Sequence, residues 1–215
     1  MATRRQMYAE QTRSDLLDSA RRHFTSTGYN NVTVDDIVSS IEVSKGTFYY
    51  HFSDKQAMFT ALLTECLTET ADTVTTAIHR LDRPGANGPQ VAAASAWVYL
   101  SRSLNDSTYR ELMRQAPMVL GEETYRHIDE TIVLPPMVKL MEALEQRGEL
   151  KAGVHTSMAA RMLMTIFVAA NSVIAESEDP AVTMVEVADT IATMFSGLVT
   201  GPVLLANEVV AAGSR

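Results

Sequence analysis

Charge is scarce in this chain: 20% of its 215 residues are Asp, Glu, Lys or Arg, and they do not gather into long runs of one sign. Wholesale disorder is thereby excluded, because disordered chains combine high net charge with little apolar content, whereas 46% of this one is hydrophobic. Cysteine is almost missing. Cys66 stands alone, which leaves no intrachain disulfide or thiolate metal cluster and fits a reducing, cytoplasmic setting. No stretch reaches the roughly eighteen uninterrupted apolar residues of a membrane span, and the N-terminal MATRRQMYAEQTRSDLL lacks the apolar run of a secretion signal. Neither a membrane partner nor export is expected.

Catalytic constellations are absent as well. There is no phosphate-binding glycine loop, no HExxH and no GxSxG, and His23, His51, His79, His127 and His155 share no metal-ligand spacing. The acid pairs Asp35–Asp36 and Glu122–Glu123 fall at expected helix starts, where negative charge complements the helix dipole. An enzyme is not expected, nor a cofactor or a metal.

What the chain does have is helical periodicity nearly throughout, and an all-α fold follows. Leu16, Leu17, Ala20 and Phe24 share one face of a first helix over residues 12–27, which Gly28 ends. Thr33 then caps VDDIVSSI, with Ile37, Val38 and Ile41 inward. Glu42 and Val43 form a turn, and Ser44 caps KGTFYYHF. In that second short helix Phe48 and Phe52, four apart, point inward and leave Lys45, Thr47, Tyr49 and Tyr50 on the outer sides.

Two short helices joined by a tight turn, the second with hydroxyl, phenol and amine groups outward, suit a major groove. The first turn approaches base edges and the flanking groups donate to phosphates. Gly46 lets the helix start come close to the duplex or to the preceding helix. Lys55, in the first turn of the next helix, opposes the dipole there and makes sense beside an anion. Overall charge argues the other way, being -8. The first sixty residues, however, hold seven basic and seven acidic side chains, so the acidic excess lies beyond them.

Residues 12–63, above all TGYNNVTVDDIVSSIEVSKGTFYYHFSDKQAMFTALL, resemble the DNA-binding domain of the TetR family of transcriptional regulators. The resemblance implies a three-helix N-terminal unit with a helix-turn-helix, a larger helical domain for ligand binding and dimerisation, and a homodimer on a palindromic double-stranded DNA operator. By the same resemblance Thr33 and Thr47 are phosphate contacts, Tyr49 and His51 a backbone-contacting pair, and Lys55 a phosphate-binding lysine. Ser44, Lys45, Gly46 and Tyr50 take the outer positions that reach base edges or adjacent phosphates. One departure is local: family members usually carry Ala-Gly before the Val-Ser of the turn, and this chain has Ile41 and Glu42. A left-handed Glu42 costs ~1 kcal/mol relative to Gly.

Three divisions are expected: 1–53 for DNA, 54–205 for ligand binding and dimerisation, and a tail at 206–215. Within the second, a helix over residues 54–79 leads to the break RPGANGP at 83–89. Further helices follow, one ended by Pro117 and Gly121, the next broken at Pro135 and Pro136. Methionines crowd residues 113–164. Their adaptable side chains suit either a pocket for apolar ligands or an ordinary core. Candidate ligand contacts are Met113, Met118, Met137, Met141 and Met162, with Trp97, Tyr109, Tyr125 and Phe167 as aromatic company and Asn171 as a polar orienter; His127 and Arg161 are further polar candidates.

The last two helices, about 156–177 and 180–200, carry broad apolar stripes, and the homodimer is expected to form through them. The function expected is a ligand-responsive repressor released from its operator by a small apolar or amphipathic molecule. The competing reading is a helical ligand-binding or interaction module whose DNA-reading surface is inactive; intact Tyr49, His51 and Lys55 weigh against it.

Overall fold

The computed structural model describes residues 3–81, 83, 85–203 and 205. Among these the chain forms ten α-helices and a single 3-10 turn. The expected tail at 206–215 lies outside the described residues.

Helix α1 (Arg4–Thr27) starts eight residues before the expected position, because Thr3 and Gln6 close a capping box there. Thr12 lies inside the helix, its hydroxyl donating to the Tyr8 carbonyl at 2.9 Å. After Gly28 (φ 83) and a 3-10 turn at Tyr29–Asn31 come α2 (Val34–Ser39) and α3 (Lys45–His51), followed by the long α4 (Lys55–Leu81). Asp54 caps α4, its carboxylate accepting from the Ala57 N–H at 2.7 Å.

Helix α5 (Gly88–Asn105) begins where Asn87 accepts from the Gln90 N–H. Helix α6 (Ser107–Leu120) runs through Pro117, which was expected to end it. Pro117 removes one N–H donor, yet the terminator is Gly121, whose φ of 81° continues no helix. Helices α7 (Glu122–Ile132) and α8 (Leu134–Gln146) meet at Val133, with Pro135 and Pro136 in the first turn of α8, where a missing N–H is harmless. The last pair is α9 (Thr156–Glu176) and α10 (Pro180–Ser196), the latter capped by Asp179.

Two compact units result. The first comprises residues 1–66 and 107–127, the second residues 67–106 and 128–215. The first buries Phe24, Phe48, Met58 and Phe59 completely, with Phe24, Tyr29 and Phe59 as an aromatic trio whose centroids lie 5.3 to 5.7 Å apart. In the second, Leu144, Ala160, Leu163, Phe195 and Val199 form one packed cluster, and Leu100, Ala170, Ile174 and Ile191 another. Among the described residues α9 alone has the length and apolar composition of a membrane span, although only a third of its most apolar window is buried. Arg161 on that helix pairs with Glu130 at 2.7 Å, and α9 packs on α8 and α10.

Candidate nucleic-acid interface and ligand cavity

The α2–α3 pair is held by local chemistry at each end. Thr33 closes a capping box with Asp36: the Asp36 N–H donates to the Thr33 hydroxyl at 3.2 Å and the Thr33 N–H donates to the Asp36 carboxylate at 2.8 Å. The Thr33 hydroxyl, which donates to the Asp36 carboxylate at 2.7 Å, and then the Thr33 N–H hold the Asp36 carboxyl below its usual range. Glu42 takes the left-handed conformation (φ 57) and is the sole non-glycine residue of positive φ among those described. The turn therefore keeps its shape at the cost of a strained side chain. Ser44 caps α3, accepting from the Thr47 N–H at 3.1 Å.

Buried contacts then fix the face that α3 presents. Phe48 and Phe52 are inside and 5.9 Å apart, and buried Ser19 of α1 bonds both the Ile37 carbonyl and the Ser40 hydroxyl. Ser44, Lys45, Gly46, Tyr49 and Tyr50 consequently lie on the solvent side, with exposed Thr33 and half-buried Thr47 beside them. Tyr49 and Tyr50 are 57% and 72% exposed, unusual for tyrosines with aromatic packing available next to them. Lys45 pairs with Asp35 at 2.8 Å across the two helices, an exposed bond readily traded for another anion. His51 is half-buried between the rings of Tyr50 and Phe52, and burial, then the charge of Arg13, lowers its pKa.

Lys55 has a role that the sequence did not reveal. Its ammonium donates to the carbonyls of Tyr29 and Val32 at 2.7 and 2.6 Å and sits 4.1 Å from the centre of the Tyr29 ring. Two carbonyls and a ring thus explain a lysine at a helix start without an anion, and burial lowers its pKa. Gly46 is also clarified. A Cβ there meets nothing nearer than the Ser44 hydroxyl at 3.5 Å, so packing against the preceding helix does not demand glycine.

A further residue, Gln115 of α6, escaped the sequence reading. It is 1% exposed; its carbonyl accepts from the Tyr29 N–H at 2.6 Å and its amide donates to the Phe24 carbonyl at 3.1 Å and to Glu111 at 2.7 Å. Gln115 and Lys55 together hold the segment between α1 and α2. A glutamine on an otherwise apolar helix face, ELMRQAPMVL, was the available signal.

The second unit contains an apolar cavity of about 100 Å³ that is open at its mouth. Of the expected ligand contacts Trp97, Met137, Met141 and Phe167 line it. Asn171 stands one step behind, donating to the hydroxyl of the lining residue Tyr99 at 2.6 Å. The others are elsewhere. Tyr109 is buried in the first unit, and Met113 and Tyr125 belong to that unit and contact each other. Met118 and Met162 are about 60% exposed, pointing away from any enclosed space. His127 is exposed and Arg161 is occupied by Glu130. Residue type alone grouped these side chains as candidate contacts, and it does not say which neighbouring helix covers each one. The one acid in the lining, Asp129, was not anticipated: in ETYRHIDE it reads as another solvated charge.

Comparison with known proteins agrees with this geometry. Residues 16–62 match the model for bacterial regulatory proteins of the tetR family, and residues 90–198 match that for the tetracyclin repressor-like C-terminal domain. The HTH-type transcriptional regulator UidR of Escherichia coli K12 is 24% identical over 161 residues, 75% of this chain and 80% of UidR. A TetR-family regulator from Pectobacterium atrosepticum superposes with a TM-score of 0.73 at 23% identity, covering 94% of this chain and all of that one. SmeT, the repressor of the Stenotrophomonas maltophilia multidrug efflux pump SmeDEF, gives 0.73 at 18% identity over 92% of this chain and 95% of its own. With a capped helix-turn-helix under the first match and a helical, cavity-bearing unit under the second, the chain belongs to the TetR family of bacterial transcriptional regulators.

Proposed function

We propose that the chain is a cytoplasmic repressor that binds a palindromic operator as a homodimer and leaves it when a small apolar or amphipathic molecule enters the cavity of the second unit. The observation carrying the DNA half is the solvent face of α3, where two tyrosines, a serine, a lysine and a glycine lie together on a helix pinned from behind by Phe48 and Phe52. In this reading residues 1–53 read DNA and 54–205 sense and dimerise. Ser44, Lys45, Gly46 and Tyr50 meet base edges or nearby phosphates, while Thr33, Thr47, Tyr49 and His51 meet the backbone. Lys55 spends two of its donors on Tyr29 and Val32, so a phosphate is left the third. Footprinting on the DNA beside its own gene tests the reading: a protected palindrome is expected, and no protection at any flanking sequence overturns it.

Gly46 offers a test that separates fold from function. Because a Cβ at Gly46 has room inside the protein, Gly46→Ala keeps or slightly raises the melting temperature, alanine favouring a helix by roughly 0.5–1 kcal/mol. At the DNA surface the same methyl keeps the helix start from its closest approach, and operator affinity in gel shifts falls by about ten-fold or more. Unchanged affinity removes Gly46 from the interface.

Dimerisation through the last two helices is supported by the apolar side chains they leave uncovered. Met158, Met162 and Val173 are each more than half exposed and recur along one side of α9, with Val182 and Val185 exposed on α10. Two carboxylates in that stripe, Met162→Glu with Val173→Glu, convert the dimer to a helical monomer in light scattering. A variant that remains dimeric places the interface elsewhere.

A further inference from the structure

The cavity lining is nearly all hydrocarbon, yet it holds one carboxylate. Asp129, in the last turn of α7, is 6% exposed and borders the cavity together with Trp97, Tyr99, Met137, Met141 and Phe167. Among the described residues no hydrogen-bond donor engages that carboxylate. The influences on it are burial and the repulsive charge of Glu130. The nearby base does not serve it either, since Arg161 is paired with Glu130. The buried lining hydroxyl of Ser95 is turned to the Val91 carbonyl, to which it donates at 2.9 Å.

A buried, unpaired carboxylate is costly for a fold and calls for a compensating charge or donor. Among the described residues none is supplied, while the cavity opens beside it. Aromatic rings complete the environment: Tyr99 and Phe167 stand edge to face with centroids 5.3 Å apart, and Trp97 also lines the cavity. Rings and an acid around an apolar space are the elements that hold an organic cation, the quadrupoles of the rings adding to the carboxylate's field. A neutral apolar guest, by contrast, leaves Asp129 unpaired and dry.

We infer that the cavity is built for a lipophilic cation, an ammonium or amidinium group on an apolar body, with its charge seated at Asp129 and its body against Trp97, Tyr99 and Phe167. This rests on reading the cavity as the effector site and names the effector's charge. Neutral donors such as phenols also bond a carboxylate, so the charge itself must be isolated.

A pair of probes of equal shape does this: 4-phenylbutyl-trimethylammonium and its uncharged carbon isostere, in which the ammonium nitrogen is replaced by carbon. Neither carries a hydrogen-bond donor. Trp97 is the sole tryptophan of the chain, so its emission in the full-length protein at pH 8 reports occupancy of the cavity directly. Wild type binds the ammonium about ten-fold or more tightly than the isostere, a cation desolvated beside rings and a carboxylate being worth that much. In Asp129→Asn the preference disappears, while the isostere keeps its affinity within about three-fold, since only the charge has been removed. Equal affinities in wild type, or a preference that survives in Asp129→Asn, overturn the assignment of charge and leave the effector site standing. If neither probe gives a saturable change in Trp97 emission, the effector reading of the cavity falls, and this inference with it.

Discussion

Asp129→Asn is expected to gain stability relative to wild type as the pH rises from 4 to 8, by about 2.5 kcal/mol over that interval. Burial, with a smaller contribution from Glu130, pushes the Asp129 carboxyl from 3.8 up to about 6. The folded state therefore holds its proton where the unfolded chain has lost it. Below both values the two states are equally protonated and the acid costs nothing. Between them the folded state binds more protons, so stability declines with rising pH, and above about 6 the full cost is present. At 1.36 kcal/mol per unit, a rise from 3.8 to about 6 amounts to about 3 kcal/mol. Asparagine does not titrate. Its two N–H groups meet an apolar wall and shift the whole curve by a constant, so the pH-dependent difference, rather than the absolute stability, carries the test. Urea denaturation of both proteins at pH 4, 6 and 8 measures it. Parallel profiles would mean that Asp129 is solvated.

The second large effect is expected at Gln115. Replacing it with leucine keeps the volume near constant but strips the Tyr29 N–H of its acceptor and the Phe24 carbonyl of its donor. Each buried group left unpaired costs about 1–3 kcal/mol, so a loss on the order of 2–6 kcal/mol is expected in denaturant titration. Operator affinity should fall with it, because Tyr29 and Phe24 border the segment that carries Thr33 into α2. Gln115→Glu gives a sharper form of the test. One oxygen still accepts from Tyr29, but the other replaces the donor and meets both the Phe24 carbonyl and the Glu111 carboxylate. Protonation restores the donor, and burial beside the Glu111 carboxylate raises the folded-state pKa of the new acid, so Gln115→Glu should recover part of its stability as the pH falls toward the ordinary glutamate range, a recovery absent from Gln115→Leu. A wild-type-like Gln115→Leu would show that the bonds are replaceable by solvent.

Local chemistry was legible in the sequence. Thr33 and Ser44 cap the helices they precede, Gly28 ends α1, Glu42 adopts the left-handed turn, and Phe48 and Phe52 turn inward. Each depends on neighbours within about four residues, the range over which caps and helical faces act. Pro117 misled because a proline removes one donor without compelling a helix to stop, and the stop was left to Gly121. The start of α1 was missed because the Thr3–Gln6 box lies on residues with little apolar period to draw notice.

Tertiary structure alone decided the rest. Periodicity shows that a helix face is apolar and leaves open which neighbour covers it. Met137 and Met141 therefore line a cavity while Met118 and Met162, of the same residue type and spacing, face solvent. Lys55 found its carbonyls 23 and 26 positions back along the chain, and Gln115 its partners 86 and 91 positions back, distances that no local pattern encodes. Asp129 looked like one more acid on a charged helix. The sequence by itself determined an all-helical regulator with its reading helix facing outward, because those features follow from short-range stereochemistry and a recognisable motif. The packing of α5, α7, α8 and α9 determined where the cavity lies, because only the assembled helices bring the Asp129 carboxylate beside Trp97, Tyr99 and Phe167 in one apolar lining.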